Sequence, residues 1–257
     1  MEHNKPKVIL LLAGEGTRLR PYTDDCPKCM VKVDGVSLID RQLKILKSQG
    51  LDNIIMVGGY KSEMLTRYGY KLMCNSRYSE TNMVWTLFCA GAELNGDVII
   101  SYGDIVYSEN ILKALLNSKA DIAVTIDKNW ESYWRARNEN PLDDAETLKI
   151  QSDGSITEIG QKPKSLDEIE GQYMGLMKFT NNGLKQLKAV YNDALILGTL
   201  LGRNVEEAYM TDLLQAVINT GQKVMSIPIN EKWIEIDTVE DLQSSVTLSR
   251  LKSMIEV

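Results

Sequence analysis

Histidine is almost absent from this sequence, since His3 carries the one imidazole among 257 residues. That scarcity excludes catalytic triads with a histidine base, H-E-x-x-H metal sites and histidine acid–base chemistry. Any chemistry must therefore use carboxylates, lysine, arginine or a bound metal ion.

Basic runs and long apolar stretches are missing too. The net charge is −6 and lysine and arginine form no run, which argues against a nucleic-acid-binding surface. No apolar stretch approaches the length that spans a bilayer, and residues 1–6 lack the apolar region of a signal peptide. We therefore expect a cytoplasmic protein that binds neither nucleic acid nor a membrane.

Cysteine is also scarce, with four residues in the chain. Cys26 and Cys29 have the spacing of a redox pair or of half a zinc site. No second pair completes such a site, because Cys74 and Cys89 lie far apart in the sequence. We therefore expect no metal or redox role for these thiols.

The most informative segment is residues 8–28, VILLLAGEGTRLRPYTDDCPK. It begins with a short apolar run, which is typical of a strand buried on both faces. Gly14 and Gly16 then allow a sharp turn whose backbone N–H groups can approach a ligand closely. Arg18 adds a fork of donors that matches phosphate oxygens, and Lys28 adds a mobile positive charge. This combination predicts a site for a nucleoside triphosphate.

Three better-known phosphate-binding motifs do not fit this segment. A P-loop would end in Gly-Lys-Ser/Thr, but Gly16 is followed by Thr17 and Arg18. The dinucleotide fingerprint needs a third glycine where Leu19 stands. Neither the His-Arg-Asp nor the Asp-Phe-Gly signature of a protein kinase occurs.

Regular alternation of strand and helix patterns predicts an α/β domain built on a parallel sheet with right-handed crossovers. The 257 residues suit a single domain, and no linker divides them. We predict strands at residues 8–12, 30–33, 53–57, 70–74, 97–102, 122–126, 147–151, 156–160, 172–179, 224–227 and 233–236. We predict helices at residues 37–49, 62–68, 81–90, 108–117, 182–191 and 210–219, and a last helix from residue 237.

Acidic residues follow two of the predicted strands. Asp104 comes after strand 97–102, so it points toward the sheet edge that carries the glycine turn. Glu235 and Asp237 are two residues apart, which places both carboxylates on one side of a strand. Each acid alone is compatible with a helix cap or a solvated charge. Together, beside a phosphate-binding turn, they favour a Mg²⁺ site.

These segments resemble the signature of the nucleotidyltransferases that make sugar nucleotides and CDP-alcohols. The first similar segment is Leu11-Leu12-Ala13-Gly14-x-Gly16-Thr17-Arg18-Leu19 with Pro21, Thr23, Pro27 and Lys28, and the second is Trp233-Ile234-Glu235-Ile236-Asp237-Thr238-x-Glu240-Asp241-Leu242. The resemblance implies a mixed, mostly parallel Rossmann-like sheet flanked by helices, as in nucleotide-diphospho-sugar transferases. It also implies Mg²⁺ as the cofactor, bound by Asp104, Asp237 and Glu235.

The nucleotide contacts follow from the same resemblance. The turn residues Leu12, Ala13, Gly14, Gly16 and Thr17 would bind the nucleotide, and Leu12 replaces the small residue that the family usually has there. Asn75-x-x-Tyr78-x-x-Thr81-Asn82-Met83-x-x-Thr86-Leu87 resembles the base-side segment of phosphocholine cytidylyltransferases and their phosphonate-using relatives. It would place Thr81, Asn82 and Thr86 near a pyrimidine, although helix capping explains them equally.

The implied reaction is attack by an acceptor phosphate or phosphonate oxygen on the α-phosphorus, with pyrophosphate leaving. The acceptor is already anionic, so no general base is required, and catalysis consists of positioning and charge neutralisation. We assign Arg18 and the turn N–H groups to the β- and γ-phosphates, and Lys28 to the α-phosphate. Lys162 resembles the lysine of a Glu-Lys-Pro motif near the transferred phosphate. Gln161 replaces the acid of that motif, which argues against a sugar acceptor.

An insert around residues 127–180 is expected to form the acceptor pocket. Tyr173 lies in a segment that resembles the strand lining this pocket. Trp134 and Arg137 belong to an aromatic and basic segment that could surround a quaternary ammonium or bind a phosphate or carboxylate. Packing in the core is an equally good interpretation of the tryptophan.

We therefore predict a Mg²⁺-dependent cytidylyltransferase that uses CTP and a small phosphorylated acceptor, such as phosphocholine, aminoethylphosphonate or phosphoglutamine. Its product would be a precursor of a cell-surface polysaccharide or lipid, and a homodimer is one possible assembly. A hexose-phosphate enzyme that uses dTTP, UTP or GTP is the first alternative. A non-catalytic nucleotide-sensing subunit is the second, and the retention of Arg18, Lys28, Asp104 and Asp237 argues against it.

Overall fold

The structure is a computed structural model that describes residues 5–230 and 232–255, so His3 lies outside the described residues. Within these residues the strands are β1 (Lys7–Leu12), β2 (Lys32–Val33), β3 (Val36–Ser37), β4 (Ile54–Gly58), β5 (Lys71–Cys74), β6 (Val98–Tyr102), β7 (Ile105–Tyr107), β8 (Ile122–Asp127), β9 (Leu148–Ile150), β10 (Ser155–Ile159), β11 (Gln172–Phe179), β12 (Thr199–Leu200), β13 (Arg203–Asn204), β14 (Val224–Ile229) and β15 (Trp233–Glu235).

The α-helices of the same residues are α1 (Leu38–Ser48), α2 (Met83–Phe88), α3 (Glu109–Asn117), α4 (Trp130–Arg137), α5 (Asn181–Leu197), α6 (Met210–Asn219), α7 (Val239–Gln243) and α8 (Ser245–Ile255). Short 3₁₀ helices lie at Thr17–Leu19, Lys28–Met30, Ser62–Tyr68, Gly91–Glu93, Pro141–Asp143, Leu166–Glu168 and Val205–Glu207. In the described part of the chain, no helix combines the length and the apolar character needed to cross a membrane.

A nine-stranded sheet in the order β5-β4-β1-β6-β11-β8-β14-β10-β9 organises the fold. β5, β4, β1 and β6 are parallel, and β14 is parallel to β8. β11 is antiparallel to β6 and β8, and β10 is antiparallel to β14 and β9. Within this sheet β11 and β10 therefore run against the direction of the other seven strands. The predicted mixed, mostly parallel sheet flanked by helices is confirmed.

The two faces of this sheet carry separate apolar clusters because side chains alternate along each strand. On β1, Ile9 and Leu11 pack on the face covered by α2, α5 and α6. Leu10 and Leu12 pack on the opposite face, which α1, α3 and α4 cover. Burial on both faces explains why β1 is a continuous apolar run.

A second, two-stranded sheet brings the end of the chain back to its middle. β15 pairs antiparallel with β7, so that Glu235 lies opposite Ile105. The Ile236 N–H then donates to the carbonyl of Asp104 at 3.0 Å. Ile234 and Ile236 are fully buried in a third apolar cluster with Val106 and Leu19. This pairing places the closing segment, residues 233–242, beside Asp104, which lies between β6 and β7.

Several predicted elements are confirmed closely. Predicted helix 37–49 forms as α1, and Ser37 is its N-cap because the Ser37 Oγ accepts the Asp40 N–H at 3.1 Å. Predicted strands 147–151 and 156–160 form the hairpin of β9 and β10, with Gly154 at a φ of +85° in its turn. Predicted strand 172–179 coincides with β11.

Other elements differ from the prediction. Predicted strand 30–33 begins instead as the 3₁₀ turn Lys28–Met30, and predicted helix 62–68 is 3₁₀ throughout. The last predicted helix is divided into α7 and α8 because Ser244 is extended between them. The unassigned stretch after residue 191 continues α5 to Leu197 and then forms the β12–β13 hairpin.

Gly183 offers a test of the packing between α5 and the segment before β8. A Cβ at this position would lie 2.1 Å from the carbonyl oxygen of Asp121. Although alanine ordinarily favours a helix, Gly183→Ala should therefore lower the free energy of unfolding by roughly 1–3 kcal/mol, as overpacking does. In the control Gly91→Ala the Cβ meets nothing within 4 Å, so a change within about 0.5 kcal/mol is expected. Urea unfolding of both variants measures the difference, and equal stabilities would contradict this packing.

Candidate active site

A cleft of about 260 Å³ lies at the carboxyl ends of β1 and β6. Among its lining residues are the predicted site residues Leu12, Ala13, Gly14, Gly16, Thr17, Arg18, Lys28, Thr81, Asn82, Thr86, Asp104 and Asp237. The structure thus brings the predicted nucleotide contacts, two basic residues and two carboxylates to one cleft. Ligands commonly bind at this edge of an α/β sheet.

The glycine turn forms one wall of the cleft. Gly16 has a φ of +69°, a conformation that other residues rarely adopt, and the Thr23 hydroxyl donates to its carbonyl at 2.8 Å. A Cβ at Gly14 would meet nothing within 4 Å, so the backbone there faces open space. Behind the turn, Leu12 packs over Gly103, where a Cβ would lie 2.7 Å from the leucine. The larger Leu12 is thus accommodated by a glycine on the neighbouring strand end.

Two basic side chains face the carboxylates across the cleft. The Lys28 Nζ donates to Asp104 Oδ2 at 2.7 Å and also to Asp237 Oδ1. The Arg18 Nη2 lies 3.4 Å from Asp237 Oδ1, but 63% of the Arg18 side chain is exposed. Lys28 is therefore held between the two acids, whereas Arg18 is free to reorient toward a ligand.

Asp104, Glu235 and Asp237 form the carboxylate cluster. Each offers an oxygen that lies within 4.8 Å of those of the other two. The Asp104 Oδ1 is buried and has no hydrogen-bond partner, which is costly unless a ligand supplies one. An all-oxygen donor set with a buried, unpaired carboxylate oxygen fits Mg²⁺.

The charges in the cluster perturb one another. Burial and repulsion from Asp237 raise the pKa of Glu235 to about 8. Burial opposes ionisation of Asp237 as well, but the Lys28 ammonium outweighs it and lowers the pKa of Asp237. Burial would lower the pKa of Lys28, yet Asp104 and Asp237 raise it. Without a metal ion, Lys28 therefore compensates the two aspartates and Glu235 favours its neutral form, whereas a bound cation would favour the ionised Glu235.

Arg137 contacts the same cluster from the end of α4. Its Nη1 donates to Glu235 Oε2 at 2.7 Å, and its Nε donates to Asp241 Oδ1 at 2.7 Å. The Trp134 ring is also buried, packed beside Trp130 and Trp233. Neither Trp134 nor Arg137 lines the cleft, and the predicted contact of each with the acceptor stays a prediction.

The cleft wall that carries Thr81 and Thr86, which are predicted to contact the base, depends on Asn75, a residue with no predicted role. Asn75 is buried, and its Nδ2 donates to the Thr81 and Thr86 hydroxyls at 2.9 and 3.0 Å. Asn82 caps α2 by accepting the Met83 N–H. The position of Asn75 directly after a predicted strand was the signal that could have identified it.

The remaining predicted acceptor residues lie apart from the cleft lining. The Tyr173 ring packs edge-on against Tyr102, 5.8 Å between centroids. Gln161 and Lys162 are exposed, and the Lys162 Nζ donates to the carbonyls of Leu142 and Asp143. To contact an acceptor as predicted, Tyr173, Gln161 and Lys162 therefore require either a ligand that extends beyond the cleft or a movement of the segment that carries them.

Comparison with known proteins gives matches along most of the chain. Residues 8–174 match a family model described as a MobA-like NTP transferase domain. The chain is 42% identical over 251 residues to the CTP:phosphoglutamine cytidylyltransferase of Campylobacter jejuni, and the alignment covers 93% of this chain and 98% of that protein.

Two solved structures share the fold. The inositol-1-phosphate CTP transferase of T. maritima superposes with a TM-score of 0.75, and the CTP:phosphocholine cytidylyltransferase of Streptococcus pneumoniae with 0.73, each at 20% identity. The matches cover 98% of this chain in both cases, with 97% of the first structure and 100% of the second. The predicted fold class is confirmed by these neighbours.

Glu146 is a further carboxyl group, half-buried near Tyr173. Its Oε1 lies 3.4 Å from the Thr211 hydroxyl. Burial and repulsion from Asp212 raise the pKa of Glu146 to about 7. The folded state therefore favours the protonated acid, and its contribution to stability is present below about pH 4.5 and is lost as the pH rises through 7.

Glu146→Gln removes this titration. We expect the melting temperature of the variant minus that of the parent to be larger at pH 8 than at pH 5. The difference should grow by about 2–4 °C for each kcal/mol of stability that the variant gains relative to the parent. The control is Glu139→Gln, which removes the same charge from an exposed position. Thermal unfolding followed by circular dichroism at both pH values measures the effect. A difference that does not change with pH, or that Glu139→Gln reproduces, would contradict the assignment.

Proposed function

Because this chain belongs to the MobA-like NTP transferase domain family, we propose that it transfers CMP from CTP to a small phosphorylated acceptor and releases pyrophosphate. Its identification as a nucleotidyltransferase is confirmed by the family match and by the cytidylyltransferase that shares 42% of its residues. The protein is accordingly a CTP-dependent enzyme.

One observation of the structure carries this proposal. A glycine turn, a half-buried lysine and carboxylates from two distant parts of the chain border the same cleft. Free backbone N–H groups and cations match a triphosphate, and the carboxylates match the metal that accompanies it. A nucleotide-binding surface without chemistry would need the first set of groups but not the second.

The residues of the chain act by positioning and charge neutralisation. An oxygen of the acceptor phosphate forms the new bond to the α-phosphorus, and the bond to the bridging oxygen of pyrophosphate breaks. Lys28 would neutralise the α-phosphate, while Arg18 and the turn N–H groups hold the β- and γ-phosphates. Since the attacking oxygen is already anionic, no side chain has to remove a proton.

We further propose that the metal is Mg²⁺, held by Asp104, Asp237 and Glu235. Mg²⁺ supplies charge neutralisation on phosphate oxygens without a proton transfer. The unpaired Asp104 oxygen and the mutual proximity of the three carboxylates support this assignment. Lys28 must leave its position between Asp104 and Asp237 for the ion to bind, and the nucleotide phosphates provide it with an alternative partner.

For the acceptor we propose a phosphorylated amide such as phosphoglutamine. The support is the name of the relative that aligns along nearly the whole chain, together with Gln161 in place of the acid expected for a sugar acceptor. Tyr173, Lys162, Trp134 and Arg137 stay predicted acceptor-side residues. The cytoplasmic location, the homodimer, the absence of a nucleic-acid partner and a role in polysaccharide or lipid precursor synthesis also stay predictions.

A substrate comparison tests the proposed function. Pyrophosphate release should be fastest with CTP and phosphoglutamine, and it should stop in excess EDTA. A wrong base leaves buried polar groups unpaired, so we expect discrimination by at least about a hundredfold. Preference for UTP, dTTP or GTP with glucose 1-phosphate would establish the sugar-phosphate alternative. Nucleotide binding without turnover of any acceptor would indicate the sensing subunit.

Lys28→Met separates two roles of the same side chain. Turnover should fall by about a hundredfold or more, because the developing charge loses a cation. In contrast, the nucleotide-free variant should bind Mn²⁺ about tenfold more tightly, because no ammonium occupies the space between Asp104 and Asp237. Exposed Lys32 provides the control Lys32→Met. Calorimetric titration with Mn²⁺ measures binding, and unchanged or weaker binding would contradict this account of Lys28.

A further inference from the structure

The guanidinium of Arg137 is the most enclosed cation of the site, with 6% of its side chain exposed. All of its donor groups point to acids of the closing segment. Nε and Nη2 form a fork on Asp241, at 2.7 and 3.1 Å, and Nη1 donates to Glu235 at 2.7 Å. Nη2 also lies 3.7 Å from Asp237 Oδ2. One arginine thus touches two members of the carboxylate cluster and a third acid beside it.

Asp241 connects this fork to the backbone that carries Asp237. Its Oδ2 accepts the N–H groups of Asp237 and Thr238 at 3.0 and 3.1 Å. The Thr238 hydroxyl in turn accepts the Asp241 N–H, which completes a capping box at the start of α7. A movement of Arg137 would therefore release both the Glu235 carboxylate and the backbone at Asp237.

The aromatic residues of α4 hold the arginine from the other side. The guanidinium carbon lies 5.1 Å from the Tyr133 ring centroid and 5.5 Å from that of Trp134. The Tyr133 hydroxyl accepts the Glu235 N–H at 3.1 Å. The aromatic and basic segment of α4 thus packs against β15, and the Tyr133 and Trp134 rings are buried there.

We propose that Arg137 is a positioning residue that holds Glu235 and Asp237 in the geometry that binds the metal. This inference rests on the proposed function, since it assigns a support for the same site. Arg137 does not contact substrate in this role. It acts through Glu235 directly and through Asp241 on the backbone of Asp237.

Charge and position predict opposite effects on metal binding, which makes the role testable. If Arg137 acted only as a nearby positive charge, its removal would strengthen the binding of a cation. If it positions the carboxylates, its removal weakens that binding, as the loss of outer contacts does in metal sites, by about 10–100-fold. Lysine retains the charge but cannot form the fork, so Arg137→Lys isolates the geometric contribution.

The experiment is a calorimetric titration of Mn²⁺ into the nucleotide-free parent, Arg137→Lys and Arg137→Met, repeated with Lys28→Met present in all three, so that no ammonium occupies the space between Asp104 and Asp237. We expect both variants to bind Mn²⁺ about 10–100-fold more weakly, while the affinity for CTP in EDTA changes less than about threefold. Arg135 supplies the matched control on the same helix, because it is 54% exposed and pairs with Glu131. Arg135→Lys and Arg135→Met should bind Mn²⁺ like the parent.

Asp241→Asn tests the other half of the fork and covers the case in which an Arg137 variant does not fold. It should weaken Mn²⁺ binding in the same direction, and the double variant with Arg137→Lys should be no weaker than the weaker-binding single variant, because the pair acts as a unit. Parent-like Mn²⁺ affinity in Arg137→Lys or Asp241→Asn, or tighter binding in Arg137→Met, would overturn the proposal.

The failure of this inference can be distinguished from failure of the proposed function. A parent that binds Mn²⁺ and transfers CMP, with variants that do the same, refutes the role of Arg137 alone. A higher KM for the acceptor with unchanged Mn²⁺ binding would also refute it, and would make Arg137 an acceptor contact. A parent that neither binds Mn²⁺ nor transfers CMP would refute both.

Discussion

Repulsion among Asp104, Glu235 and Asp237 is the constraint on which the rest of this site depends. Three carboxylates whose oxygens lie within 4.8 Å of one another, in a largely buried position, are unstable unless cations compensate them. The pairing of β15 with β7 imposes their proximity, because it fixes the closing segment next to the residue that follows β6. The apolar cluster around Ile234 and Ile236 stabilises that pairing without using any charged group.

The two cations that compensate this repulsion, Arg137 and Lys28, differ in how firmly they are held. Arg137 is enclosed by two rings and forks onto Asp241, so its position is determined by packing. Lys28 reaches the cluster from the first residue of the 3₁₀ helix Lys28–Met30, and its ammonium is held by the carboxylates themselves. A fixed cation preserves the geometry of the acids, and an exchangeable one can transfer to phosphate. Preorganised charge of this kind avoids reorganisation during the reaction.

The opposite wall of the cleft is held by polar contacts that do not involve the carboxylate cluster. Asn75 holds the hydroxyls of Thr81 and Thr86 from a buried position. The fork of Arg77 on Glu206, at 2.7 and 2.8 Å, ties the loop after β5 to the segment before α6. The polar groups of this wall are therefore fixed by a local network around Asn75 and by one ion pair between residues distant in sequence. Fixed polar groups are what base discrimination would require under the proposed function.

Helix α4, strand β7 and the β12–β13 hairpin were not predicted from the sequence. Its local patterns were enough, however, to predict most of the other strands and helices, the glycine turn, and the acids after β6 and at the end of β15. These features depend on local properties: apolar periodicity, the backbone freedom of Gly16 and the capping preference of Ser37. The spacing Thr238-x-x-Asp241 also carried a capping signal, although its link to Arg137 could not be inferred. The tertiary structure alone decided that β11 enters the sheet antiparallel, that Trp134 is buried, and that Arg137 reaches Asp241. Those outcomes depend on contacts between residues that are tens of positions apart for β11 and about a hundred apart for Trp134 and Arg137. Pairing at such distances is selected by burial and charge compensation over the whole fold rather than by any local pattern.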